Sequence, residues 1–248
     1  MIFEILAQYS QQPAGGQSMF SGGYLLLIFG TMAASMLASG ILKAKFRKYS
    51  QVPTSMTGAQ VAELMLRQNG ITDVRVISTP GQLTDHYDPR NKTVNLSDVV
   101  YGQNSAAAAA VAAHECGHAL QHQQAYAWLQ FRSKMVPMVT LASRIQQWLL
   151  MLAIFGLFAF GSGSLILIYV FLATFVATTL FSIVTLPVEF DASKRALAWL
   201  DKSQAVRGME HAQAKDALFW AAMTYVVAAL AAIAQLAYWA MMLLGRRN

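Results

Sequence analysis

Four long apolar runs limit what this chain can become: residues 19–42, 145–161, 165–186 and 219–244. A helix needs about 20 residues to cross the hydrocarbon core of a bilayer, with a range near 17–25. Three of the runs meet that length and the second is marginal. It can draw on the apolar stretch 135–143 upstream, although Arg144 interrupts the continuation. The whole chain agrees, with 56% hydrophobic residues, 12% charged residues and a mean hydropathy of +0.40. The expected fold is mainly α, a multi-pass helical membrane protein of about four spans.

The net charge of +6 would suit a nucleic-acid partner, but its placement argues for a membrane instead. Sixteen of the 18 Lys and Arg fall within residues 43–144 and 194–215, and only Arg246 and Arg247 lie elsewhere. Excess Lys and Arg beside a span marks the cytoplasmic side. Lys43, Lys45, Arg47 and Lys48 directly follow the first run. The amino terminus is therefore expected outside, with both polar segments in the cytoplasm. The Arg246–Arg247 pair then emerges outside, against the rule. Glu4 is the one charged residue before the first run, which lacks the basic leader of a cleaved signal and reads as a retained anchor. No RNA- or DNA-binding motif accompanies the basic residues. Cys116 is the single cysteine, so no internal disulfide can form.

Between the first two runs stands His114-Glu115-Cys116-Gly117-His118, an H-E-x-x-H stretch following the alanine-rich residues 106–113. Alanine is the strongest helix former. Histidines four residues apart are offset by about 40° around a helix and about 6 Å along it, close enough to share one metal. Zn²⁺ takes imidazole nitrogens at roughly 2.0–2.1 Å. Glu115 flanks the ion, placed to take a proton from a zinc-bound water. Chance placement of five His and five Glu in 248 residues gives roughly 0.002 such matches, so the motif is specific. Cys116 lies off the ligand face as a small packing residue, and Gly117 permits close helix approach.

The rest of the pattern fills in around this motif. Residues 57–69 have helical spacing, residues 74–77 and 93–96 alternate like short strands, and 79–92 between them is rich in turn residues. The motif helix covers about 105–124, another follows over 126–147, and Gly161-Ser162-Gly163-Ser164 makes a tight hairpin. Thr185-Leu186-Pro187 closes the third span, and a polar helix starts near 188. The expected segments are 1–42 (anchor), 43–144 (cytoplasmic α+β catalytic region inserted between spans one and two) and 145–186 (transmembrane hairpin). They continue with 187–218 (cytoplasmic helix) and 219–248 (last span).

A catalytic zinc usually has a third protein ligand, and three residues compete for that place. His122 sits about 12 Å along the axis from His114, too far on a straight helix. His86, in Thr84-Asp85-His86-Tyr87-Asp88-Pro89, could instead face substrate or be a simple turn histidine. Glu189 is favoured, because a carboxylate at the mouth of a span is costly without a partner. Two spans separate it from His118, so both emerge on one side. Asp191 is the weaker ligand and a supporting partner. His211 reads as a solvated helix residue.

Several stretches together carry a resemblance. They are residues 49–52, Met56-Thr57-Gly58-Ala59, Pro80-Gly81-Gln82-Leu83, Asp85-His86-Tyr87-Asp88-Pro89, residues 112–121 and Leu186-Pro187-Val188-Glu189-Phe190. Over almost its whole length the chain resembles the YugP-like membrane zinc metallopeptidases of bacteria. It is more distantly similar to the HtpX and CAAX prenyl protease group. The resemblance implies a multi-pass protein of the bacterial cell (inner) membrane with a small α+β zinc-peptidase domain and a cytoplasmic catalytic face. It implies Zn²⁺ as cofactor, with His114, His118 and Glu189 as ligands and Glu115 as base. In the wider group an Asp follows the Glu ligand by four residues, and here that place holds Ser193, which puts the support of the site in question.

The expected activity is zinc-dependent endopeptidase hydrolysis of a peptide or membrane-protein substrate, by Glu115-assisted attack of zinc-bound water. His86 or Tyr87 would donate to the oxyanion, because related zinc peptidases hold substrate on an edge strand before the metal helix, near Thr93 to Leu96. Two other readings stay open. One is a zinc-stabilised membrane scaffold without turnover, which leaves Glu115 idle. The other is an intramembrane metalloprotease with its zinc at bilayer depth. A transporter is disfavoured by spans nearly free of ionisable residues.

Overall fold

The computed structural model describes residues 22–154, 165–203, 205 and 208–245. The described chain begins with helix α1 (Gly22–Tyr49). A compact α+β unit follows: α2 (Gly58–Gln68), β1 (Arg75–Thr79), β2 (His86–Asp88), β3 (Thr93–Ser97), the short α3 (Asp98–Gly102) and α4 (Ala106–Gln123). Three long helices complete it, α5 (Ala127–Ile154), α6 (Leu165–Ser203) and α7 (Met209–Gly245).

Among the described residues three helices are long and apolar enough to cross a membrane, with spans at Gly22–Tyr49, Tyr169–Ser203 and Glu210–Leu244. Of the expected second span, the part beyond Ile154 lies outside the described residues, as do the hairpin at 161–164, Glu4 and the Arg246–Arg247 pair. The long helices pack side by side in the order α5, α6, α7, α1. Tyr24, Phe171 and Trp239 form an aromatic cluster toward one end of the bundle. At the other end Tyr49 donates to Asp216 at 2.5 Å and Lys45 pairs with the same carboxylate at 2.8 Å, tying α1 to α7.

The α+β unit is built on alanine. The inward faces of α4 carry Ala108–Ala110, Ala112, Ala113 and Cys116, which pack with Val61, Met65, Val94, Leu96, Val100, Trp199 and Leu200. With no side chain beyond Cβ, neighbouring elements come close on every side. Gly117 does the same toward α6, since a Cβ there would stand 2.6 Å from the Ala192 carbonyl oxygen. Helix ends follow their local chemistry. Thr57 and Gln60 form a reciprocal capping box at the start of α2, and the Ser105 hydroxyl caps α4.

Two expectations are overturned. Residues Thr93 to Leu96 belong to the centre of the sheet, because the order is β1-β3-β2, with β1 parallel and β2 antiparallel to β3. The polar side of β3 looks like an exposed face in sequence. It is buried because Asn95 bonds to Thr93 and to the His86 carbonyl, while Ser97 bonds to Asp85. The edges are β1 and β2, and β2 carries His86 and Tyr87 inside what reads as a turn. Pro187 does not end a helix either, since α6 continues through it to Ser203. Proline removes one backbone bond and crowds the preceding turn, at a cost of about 3 kcal/mol or more. Packing against α4, α5 and α7 holds both sides of this one in place. Continuous helices thus run through the segment limits expected at 42/43, 144/145, 186/187 and 218/219.

Candidate metal centre

His114 and His118 rise from one face of α4, with ring centroids 4.8 Å apart and planes at 83°. Glu189 reaches them from α6, just past Pro187. Its Oε2 stands 3.3 Å from His114 Nε2 and 3.7 Å from His118 Nε2. One donor atom from each of the three residues lies within 4.8 Å of the others, a span that one cation can bridge. The group is well enclosed, with Glu189 2% and His118 8% exposed.

Each imidazole is held from behind. His114 Nδ1 lies 3.1 Å from the Ser193 hydroxyl, and His118 Nδ1 lies 3.0 Å from Gln121 Oε1. The second contact fixes a tautomer. Gln121 is fully buried, and its amide nitrogen donates to the Val188 carbonyl and to Asp191 Oδ2, both at 2.8 Å. Its oxygen must therefore face His118, so His118 Nδ1 carries the proton and Nε2 of the neutral ring presents a lone pair. Asp191 is held in turn by Arg195 at 2.5 Å, and Arg195 also donates to Gln124 at the end of α4.

The result is a bare lone pair aimed at a carboxylate oxygen. Oε2 of Glu189 is buried and accepts no hydrogen bond, whereas Oε1 accepts one from Arg132 Nη1 of α5 at 3.0 Å. A buried carboxylate oxygen left bare in front of imidazole nitrogens is costly unless a cation lies between them. The donor set of two imidazoles and one carboxylate is the chemistry zinc accepts, so these residues fit that ion. Proton affinity follows the same logic at His118. Burial pulls its pKa down, but the nearby Glu189 carboxylate and the charge of Glu115 outweigh burial and raise it.

Glu115 is 8% exposed and its carboxylate makes no hydrogen bond among the described residues. Tyr225 of α7 interacts electrostatically with Glu189, Glu115 and Arg132. His86 and Tyr87 lie on β2. His86 Nδ1 is 2.8 Å from the Thr84 carbonyl, and the Tyr87 hydroxyl is 2.7 Å from His122 Nδ1. His122 is thereby engaged with the sheet rather than with Glu189. Cys116 packs inward with its sulfur 3.6 Å from the Ala62 carbonyl, and burial pushes its thiol pKa well up.

Sequence reasoning missed three parts of this arrangement. Gln121 stands three residues after His118, a same-face spacing that could have flagged it. Ser193 occupies the place where an Asp is usual, and its hydroxyl supplies the contact to His114. Arg132 had no local signal, since it arrives from a different helix.

A family model described as "Putative neutral zinc metallopeptidase" matches residues 24–244. The chain is 41% identical to the "Putative membrane protease YugP" of Bacillus subtilis (strain 168) over 229 residues, covering 90% of this chain and 99% of that protein. No solved structure matches.

Proposed function

The chain belongs to this neutral zinc metallopeptidase family, and from that premise we propose that it is a membrane-embedded zinc endopeptidase of the H-E-x-x-H plus Glu type. The observation that carries the reading is the buried, unbonded Glu189 Oε2 set between two imidazole nitrogens. His114, His118 and Glu189 would hold the ion. Zinc bound there would lower the pKa of a bound water toward about 7 and polarise a carbonyl oxygen. Glu115, with no hydrogen bond to another described residue, takes the proton of the attacking water and returns it to the departing amine. Ser193 and Gln121 keep the two rings aimed, and α4 and α6 hold the trio rigidly together.

Substrate backbone has a place to lie. The outer edge of β2 is unpaired among the described residues, and extended peptides add to such edges. His86 and Tyr87 would then flank the scissile bond as candidate donors to the oxyanion. The substrate would be a peptide or a membrane protein, the second partner the lipid bilayer, and no nucleic acid is involved. The basic cluster after α1, at Lys43, Lys45, Arg47 and Lys48, favours a cytoplasmic catalytic face in the cell membrane of a bacterium.

The test is metal analysis and peptidase assay of detergent-purified protein beside Glu115→Gln and Glu189→Ala. Activity should vanish in both variants, while zinc should be lost chiefly from Glu189→Ala. Full activity in Glu115→Gln would instead leave a zinc-stabilised scaffold as the reading.

A further inference from the structure

Arg132 bears on how the cation is held, an inference that rests on the zinc reading above. It comes from α5, outside the α4–α6 pair that supplies the ligands, and it touches only the far oxygen of Glu189. Oε1 receives the guanidinium at 3.0 Å, while Oε2 stays bare between the two histidines. A carboxylate can clasp a cation through one oxygen or through both. The bond and charge of Arg132 hold Oε1 turned away from the histidines and lower its donor strength, which favours binding through Oε2.

We propose that Arg132 is a positioning residue that keeps Glu189 a one-oxygen ligand and so preserves an open place on the metal. Two imidazoles and one carboxylate oxygen make three protein ligands. A tetrahedral zinc site then has one position left for a reactant. A second carboxylate oxygen would crowd that position, so that a reactant could enter only as a fifth ligand. The Arg132 side chain is 27% exposed against 3% for that of Glu189, so it stands on the solvent side of the carboxylate. Its positive charge also opposes the cation, so the residue serves an open site at some expense of affinity.

Cobalt(II) tests this apart from turnover, because four-coordinate cobalt absorbs visible light strongly and higher-coordinate cobalt weakly. The full-length protein is stripped of metal in detergent and titrated with Co²⁺ as wild type, Arg132→Lys and Arg132→Met. Wild type should bind one Co²⁺ with the strong absorption, and Arg132→Lys should stay close to it. Arg132→Met should bind one Co²⁺ with the strong band lost. In zinc-loaded protein kcat should fall about tenfold or more while KM moves far less. Arg132→Gln carries the same expectation should Arg132→Met not be recovered folded. Superimposable spectra of wild type and Arg132→Met would overturn the proposal. So would loss of cobalt from Arg132→Met, which would make Arg132 a prop for binding. Wild type that binds neither Co²⁺ nor Zn²⁺ would instead defeat the zinc reading itself.

Discussion

At the residue scale, the site depends on groups that hold rings rather than on the ligands alone. Ser193→Ala removes the hydroxyl behind His114. Partners of this kind are typically worth 10–100-fold in metal affinity or activity. Zinc affinity measured against a chromophoric chelator should therefore fall about tenfold, and an unchanged affinity would make the contact incidental. Tyr87 offers a pH test. Burial, followed by the charges of Asp73 and Asp88, pushes its phenol up to about 12. A folded pKa above the unfolded value near 10 means the native state keeps the proton longer. The resulting stability is fully present below about pH 10 and is lost as pH rises from there through about 12. Ultraviolet titration of wild type against Tyr87→Phe should show one late-ionising tyrosine absent from the variant.

At the element scale, the metal centre exists because α4 and α6 touch backbone to backbone. Gly117→Ala would drive a methyl group against the Ala192 carbonyl, and neither backbone can yield cheaply. Overpacking of this kind costs typically 1–3 kcal/mol. The variant should melt lower and lose zinc stoichiometry, although residue 117 is no ligand. Much of this level was legible in sequence. Helical spacing put His114 and His118 on one face, and the position of Glu189 beside an apolar run marked it as a carboxylate in need of a partner. Pro187 misled because local rules cannot see the packing that carries a helix past a proline. β3 misled because Asn95 and Ser97 spend their polar groups inside the sheet, which alternation reads as exposure. Gln121 and Arg132 matter through contacts made only when α4, α5 and α6 assemble.

At the scale of the whole molecule, helix length sets the layout. The 39 residues of α6 extend roughly 58 Å, about twice the hydrocarbon thickness. Apolar residues 165–186 suffice to span, and the charged remainder, with Glu189, Asp191, Lys194 and Arg195, continues beyond. On the proposed reading the trio stands at the mouth of a span rather than at its centre. Cys116 makes this easy to probe, because its buried, high-pKa thiol should leave wild type unlabelled by maleimide. A cysteine replacing the exposed Leu83 should react with an impermeant maleimide in inverted vesicles and stay silent in intact cells. Labelling from outside would reverse the orientation.

The most direct measurement is anomalous diffraction at the zinc edge from crystals of the metal-loaded protein. One strong peak should fall between His114 Nε2, His118 Nε2 and Glu189 Oε2, at roughly 2.0–2.2 Å from each. A peak elsewhere, or none in protein that retains peptidase activity, would contradict the account.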